Sequence, residues 1–311
     1  MSASRPISIT EQQNPRTRRL DAMGIDEFLT TMNDEDAGVA DAVRAQIPQI
    51  ARAVELVVSA LHGGGRLIYQ GAGTSGRLGV LDASECPPTF GTDPAQIIGV
   101  LAGGREAMFA AVERAEDSDE LAVADLVALG LDERDVVVGI AASGRTPYVL
   151  GGLDYARRVG AATVSLACNT GAEISRHADV AIEIDNGPEV LTGSTRLKAG
   201  TSQKLVLNMI STAAMVRLGK VYGNLMVDVR PTNEKLVDRA ARIVQAATDC
   251  DRATAERALA AAGNHAKTAI VSILCGIDAA AARERLSVAQ GFVRDAIDGE
   301  RPSPLSSTAH H

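Results

Sequence analysis

Tryptophan is missing from this 311-residue chain, and aromatic residues of all kinds make up only 3% of it. A core without large rings must be filled by Ala, Val, Leu and Ile, the side chains typical of a buried parallel sheet under helices. Positive charge is also short, with 31 Lys and Arg against 39 Asp and Glu and a net charge of −8. That balance excludes the basic footprint of a nucleic-acid-binding protein, so any anionic ligand must be held by local groups. No run of about 18 uninterrupted apolar residues occurs, which argues against a membrane-spanning helix. Met1–Pro15 is polar and lacks the apolar centre of a secretory signal. The four cysteines (Cys86, Cys168, Cys250, Cys275) show no CxxC spacing. Scattered thiols fit a reducing cytoplasm and argue against a disulfide framework or a zinc site. No Asp/His cluster has metal-ligand spacing, so neither a metal nor a cofactor is expected.

What is present is ordinary for a globular chain, with 46% apolar and 23% charged residues. Residues 1–36 are polar, with Pro6, Pro15 and a basic cluster at Arg16, Arg18 and Arg19, and read as a surface arm. From Ala37 to Leu61, Val39, Val43, Ile47, Ile50, Val54, Val57 and Leu61 recur at steps of three and four. This spacing predicts one helix with a buried face, kinked at Pro48 and ended by Gly63-Gly64-Gly65.

Short apolar runs follow at Leu67–Tyr69, Ile97–Leu101, Val136–Ile140, Thr163–Leu166 and Val180–Ile182, all read as strands. Between them Gly76–Ala83, Arg105–Glu116, Pro147–Val159 and Ala172–His177 read as helices or helical turns. This alternation predicts an α/β fold, a doubly wound parallel sheet of about five strands with helices on both faces. Ser202–Leu218 reads as a further long helix. After Pro231 the texture becomes Ala-rich, and Asn233–Thr248, Arg252–Ala262, His265–Leu274 and Ala279–Ala296 predict a C-terminal helical bundle, with Asp278 as an N-cap. A boundary is expected near residue 230, and His310 and His311 are set aside as tail.

Ligands of such sheets sit at the carboxyl ends of the strands. The first strand runs into Gly71-Ala72-Gly73-Thr74-Ser75-Gly76-Arg77, a G-x-G-x-x-G pattern. A dinucleotide site wants an acid at the end of the second strand, but that strand ends Leu101-Ala102-Gly103-Gly104. Hydroxyls and backbone N–H groups at a helix N-terminus instead suit a phosphate. A second loop of the same chemistry, Ala141-Ala142-Ser143-Gly144-Arg145-Thr146-Pro147, follows the third strand. Gly73, Thr74, Ser75, Gly76, Ser143, Gly144 and Thr146 are therefore candidate phosphate binders, with Arg77, Arg145 and Lys198 as candidate counter-charges.

Two such loops on one sheet resemble the sugar isomerase (SIS) domain, a nucleotide-free phosphosugar-binding fold, over about residues 55–220. The longer run from Gly71 through Leu78-Gly79-Val80-Leu81-Asp82-Ala83-Ser84-Glu85-Cys86-Pro87-Pro88-Thr89-Phe90-Gly91 resembles the signature of the N-acetylmuramic acid 6-phosphate etherases. Further resembling stretches are Thr10-Glu11-Gln12-Gln13-Asn14-Pro15, Ala115-Glu116-Asp117-Ser118, Gly193-Ser194-Thr195-Arg196-Leu197-Lys198-Ala199-Gly200-Thr201 and Val227-Asp228-Val229. The resemblance implies an arm and helix over 1–54, a SIS domain over 55–230, a helical, UBA-like domain over 231–300 and a tail over 301–311. It also implies a homodimer acting in the cytoplasm on a small phosphosugar, with Ser194 and Lys198 near the substrate.

The implied reaction expels D-lactate from C3 of the opened sugar and adds water in its place. One group must remove the C2 proton and another must protonate the departing ether oxygen, and carboxyls can do both. By resemblance Glu85 is the acid and Glu116 the base. Glu85 is expected between the loop helix and Pro87-Pro88, and Glu116 at a helix C-terminus, where its charge would oppose the macrodipole. Two other readings stay open. One is a non-catalytic sensor like the glucokinase regulatory protein, which carries a second SIS unit. The other is an aldose–ketose phosphosugar isomerase, whose product would be a ketose phosphate instead of lactate.

Overall fold

A computed structural model describes residues 8–110, 112–229 and 234–299. The boundary expected at 230 and the tail at 301–311 lie outside the described residues. Five strands form one sheet: β1 (Leu67–Gly71), β2 (Ile97–Leu101), β3 (Val136–Ala141), β4 (Ala162–Ala167) and β5 (Val180–Glu183). Their order is β2-β1-β3-β4-β5, and every pairing is parallel. β1 and β3 are buried along their whole length, so their apolar runs are continuous instead of alternating. From β1 the chain steps outward to β2 and then crosses back to β3. The carboxyl ends of β1 and β3, with Gly71 beside Ile140, thus form the topological switch point.

Ahead of the sheet lie α1 (Ile25–Ala37), α2 (Val39–Arg44) and α3 (Ile47–His62). The single kinked helix expected over Ala37–Leu61 is thus two helices. Pro48 lies in the first turn of α3, where its missing N–H has no partner to lose. The reading of residues 1–36 as a surface arm is also corrected, because Thr10, Asn14 and Thr17 are buried. Their hydroxyl and amide groups are bonded to residues far along the chain, which makes polar burial tolerable.

The loop helix α4 (Gly73–Phe90) begins earlier than expected and runs on through Pro87 and Pro88. Two prolines remove two N–H donors and so weaken the last turn, which closes with Gly91 N donating to Pro87 O at 3.0 Å. Among the described residues of Arg105–Glu116, read as a helix or helical turns, only short 3₁₀ turns form. Gly103, Gly104 and Arg114 adopt left-handed φ values of 84°, 68° and 62°, leaving 3₁₀ turns at Gly104–Met108 and Ala115–Asp117. A helix not expected from the sequence, α5 (Asp119–Ala128), follows, and α6 (Pro147–Val159) spans the residues expected. Ala172–His177 proves to be a 3₁₀ turn over Glu173–His177, and α7 (Lys198–Arg217) starts four residues before Ser202.

The described residues fall into two compact units. One comprises the chain up to Glu85 together with Asp93–Ala213, and the other Cys86–Thr92 and residues from Ala214 onward. The second unit carries α8 (Glu234–Thr248), α9 (Arg252–Ala261), α10 (Ala266–Cys275), α11 (Ala279–Val288) and α12 (Val293–Asp298). Ala240, Val244, Leu259, Ile270, Leu286 and Val293 form its core. Asp278 caps α11 by accepting from Ala281 N, but Gln290 and Gly291 at φ 51° and 86° break the single helix expected over Ala279–Ala296. Among the described residues no single helix is long and apolar enough to cross a membrane.

Candidate active site

The sheet passes into α4 almost without a loop, since β1 ends at Gly71 and the helix begins at Gly73. Gly76 permits this turn, because a Cβ there would lie 2.4 Å from Gly71 O. On the other side of the switch point Gly144 sits at φ 70°, where a Cβ would meet Ala172 Cβ at 2.5 Å. These two glycines shape the loops by close packing and do not themselves line a cavity.

Over the switch point opens a cavity of about 430 Å³. Gly73, Thr74 and Ser75 line it from the first loop, and Ser143, Arg145 and Thr146 from the second. The first turns of α4 and α6 leave backbone N–H groups without intrahelical acceptors, and both helix dipoles present their positive ends. Thr146 makes no side-chain cap bond in α6, and Ser143 Oγ accepts only a long 3.4 Å bond from Arg145 N. Ser75 is buried, and its hydroxyl donates to Gln203 Oε1 of α7 at 3.0 Å. This is chemistry for a phosphate or another oxyanion. A larger open hollow of about 710 Å³, lined by residues including Asp119, Gly151, Asp154, Arg157 and Arg158, contains no strand-end loop, and one of its acids already pairs with His177 at 2.6 Å. The smaller cavity is the better candidate on chemical grounds.

Glu116 and Asp117 stand in the wall of the same cavity. They occupy the 3₁₀ turn just before α5, whose N-cap Ser118 accepts from Leu121 N at 3.0 Å. The charge therefore precedes a helix N-terminus and favours its dipole, the reverse of the arrangement expected from the sequence.

Glu85 is elsewhere. It is exposed on α4, twelve residues beyond Gly73, or about 18 Å at 1.5 Å rise per residue. It faces a separate cavity of about 340 Å³ with Leu78, Leu81, Asp82, Lys204, Leu207 and Asn208. Asp82 in that wall is structural, accepting from Tyr69 Oη at 2.9 Å, Asn208 Nδ2 at 2.6 Å and Ser211 Oγ at 3.2 Å. Within one chain the two candidate catalytic acids do not share a cavity.

Other candidates have internal partners. Arg77 Nε donates to the carbonyls of Ala107 and Met108 at 2.9 and 3.2 Å, bracing the turn after β2. Lys198 is buried, with Nζ 2.7 Å from Glu35 Oε2, and its backbone N–H donates to Glu189 at 3.0 Å. Burial alone would raise the Glu35 carboxyl, but hydrogen bonds from Lys198 and Asn14 and the charges of Lys198 and Arg16 outweigh it and hold its pKa below the ordinary value. Ser194 is half-buried and does not line the cavity, whereas its neighbours Gly193 and Thr195 do. Of the three proposed counter-charges only Arg145 lines it.

Sequence reasoning did not single out Glu11, Asp117, Thr195 or Gln203. The first three lie inside stretches that carried the family resemblance, which was the available signal. Nothing in the sequence pointed to Gln203, whose relevance comes from its contact with Ser75. Among the described residues no group of three or more His, Cys, Asp or Glu is placed to hold a metal ion.

The glucokinase regulatory protein N-terminal SIS domain family matches residues 49–157, the SIS domain family 114–213, and the C-terminal lid domain of glucokinase regulatory protein 223–267. A Mycolicibacterium smegmatis protein named N-acetylmuramic acid 6-phosphate etherase is 62% identical over 288 residues, covering 93% of this chain and 97% of its own. Proteins of the same name from an Exiguobacterium species and from Salmonella enteritidis are 60% and 57% identical, each over 93% of this chain and 98% of their own.

Proposed function

This chain belongs to the N-acetylmuramic acid 6-phosphate etherase family, and on that premise we propose that it removes D-lactate from N-acetylmuramic acid 6-phosphate to leave N-acetylglucosamine 6-phosphate. The observation that carries the reading is the convergence of two hydroxyl-bearing loops and Glu116 on one cavity. The phosphate takes the N-terminal turns of α4 and α6 with Thr74, Ser75, Ser143 and Thr146, and Arg145 supplies the positive charge. With the sugar ring opened to its aldehyde, Glu116 removes the C2 proton. A carboxyl group, Glu85, protonates the ether oxygen as the C3–O bond breaks. Water then adds to the resulting double bond at C3, and a proton returns to C2.

Glu85 and the phosphate loops of its own chain are separated by more than the length of a hexose phosphate. A homodimer resolves this, with Glu85 of one copy completing the cavity that contains Glu116 of the other. In this reading the enzyme works in the cytoplasm without a cofactor, consistent with its scattered thiols. The relatives' names favour neither the sensor nor the isomerase alternative.

The test is D-lactate release from muramic acid with and without its 6-phosphate. Release is expected only from the phosphorylated sugar. Equal turnover of both would overturn the phosphate assignment, and a ketose phosphate as product would overturn the reaction.

A further inference from the structure

We propose that Glu11 binds the sugar in this site and that the Thr10–Asn169 pair positions it, an inference that rests on the phosphosugar reading above and deepens it. Segment 10–17 is fastened at three places. Asn169 Oδ1 accepts from Thr10 N at 3.3 Å, and Asn169 Nδ2 donates to Thr10 Oγ1 at 3.1 Å. Asn14 Nδ2 donates to Glu35 Oε2 at 2.8 Å, and Thr17 Oγ1 to Val190 O at 2.8 Å. The three anchoring residues are buried at 2%, 4% and 7% exposure, which is unusual for Thr and Asn. Asn169 also donates to the carbonyls of Ala142 and Ser143 at 3.0 and 3.3 Å, so one buried amide ties this segment to the second phosphate loop.

The segment holds Glu11 in the wall of the cavity. Its Oε2 stands over Gly193, 3.5 Å from where a Cβ would lie. A carboxylate there is repelled by both a phosphate and a lactyl carboxylate, so its partner must be a donor, and the donors of this substrate class are the sugar hydroxyls and the acetamido N–H. The helix N-termini and Arg145 hold the anionic end, and Glu11 holds the hydroxyl-bearing end. Glu11 thereby helps distinguish a phosphosugar from phosphate alone.

The experiment is calorimetric titration of the full-length protein with N-acetylglucosamine 6-phosphate and, separately, with inorganic phosphate. Glu11→Ala is expected to weaken sugar-phosphate binding at least about tenfold, the size of one hydrogen bond to a charged group. Inorganic phosphate should bind as it does to the wild type. Glu11→Gln, which keeps an acceptor oxygen, should lose less. Thr10→Val should weaken the sugar phosphate in the wild-type background but add nothing to Glu11→Ala, and Thr10→Ser should restore binding. Unchanged sugar-phosphate affinity in Glu11→Ala overturns the proposal, as do equal losses for both ligands. An additive Thr10→Val effect overturns the positioning role. If the wild type shows the expected discrimination but releases no lactate, the etherase reading fails and the Glu11 assignment stands.

Discussion

Glu116 and Glu85 are both exposed carboxylates in stretches that resemble one family, yet their surroundings differ in kind. Glu116 shares its cavity with two helix N-termini, several hydroxyls and Arg145. Glu85 projects from the middle of α4 into a space walled by Leu78, Leu81 and Leu207, with Lys204 as its one cation. The first setting has the chemistry for an anion with a carboxylate beside it. The second has an acid and apolar surface but no anion anchor, and suits a surface completed by something else. The contrast teaches that one chain places its two candidate acids in two separate cavities, which is why the proposed reaction calls on a second copy.

The sharpest way to break this contrast is complementation. Glu85→Ala and Glu116→Ala should each lose at least about 100-fold in lactate release. Mixing the two inactive proteins under conditions that exchange subunits should then restore about a quarter of wild-type activity, because half of the dimers carry one intact site of two. Continued inactivity of well-mixed, folded dimers would place both glutamates in one chain's site. Deuterium exchange at C2 should sharpen the contrast further. It should disappear in Glu116→Ala and persist in Glu85→Ala, and the opposite pattern would exchange the two roles.

A smaller effect is expected at the anion anchor. Ser143→Ala should raise KM with little change in kcat, by about 1–3 kcal/mol for a bond to a charged group, and Ser75→Ala should raise it less, because its hydroxyl proton is donated to Gln203 Oε1. Ser75→Ala also strands Gln203 Oε1 in a buried position, so it should lower Tm more than Ser143→Ala does. Equal Tm losses would mean that the Ser75–Gln203 bond contributes nothing to stability.

The smallest effect on turnover is expected at Asp228, which belongs to the second unit and lines neither cavity. Burial pushes this carboxyl up, but nearby His265 and the charges of Lys267 and Lys220, with Lys nitrogens 2.7 and 3.0 Å away, outweigh it and leave its pKa at about 2. A carboxyl with a lowered folded pKa stabilises fully above its unfolded pKa, and that contribution fades as pH falls through about 2. Urea unfolding should therefore show wild-type stability falling between about pH 4 and pH 2 more steeply than that of Asp228→Asn. Parallel profiles would remove Asp228 from the account.

The strands were legible because a sheet covered on both faces demands continuous apolar runs, and Ile97–Leu101 and Val136–Ile140 are such runs. The two strand-end loops were legible because Gly, Ser and Thr directly after an apolar run end a strand and open a helix. The buried arm was not legible. Thr10 and Asn14 look like surface residues until partners 159 and 174 positions away are brought to them. The internal partners of Arg77 and Lys198, both candidate counter-charges, were not legible for the same reason, since the groups they contact lie 30 and 163 positions off. Arg105–Glu116, read as a helix or helical turns, holds 3₁₀ turns and no longer helix among its described residues, because Gly103, Gly104 and Arg114 adopt left-handed φ values set by context.

The sequence by itself determined the sheet and the positions of both loops, because these depend on local pattern and on residue chemistry. Tertiary structure alone decided which charged groups remain free for a ligand and which are bonded within the protein. It also decided that Glu11 stands in the cavity wall and that Glu85 lies about 18 Å down α4 from the anion anchor. The reason is physical: a side chain's partners are set by packing between segments remote in sequence, whereas a strand or a glycine turn is set by its own few residues.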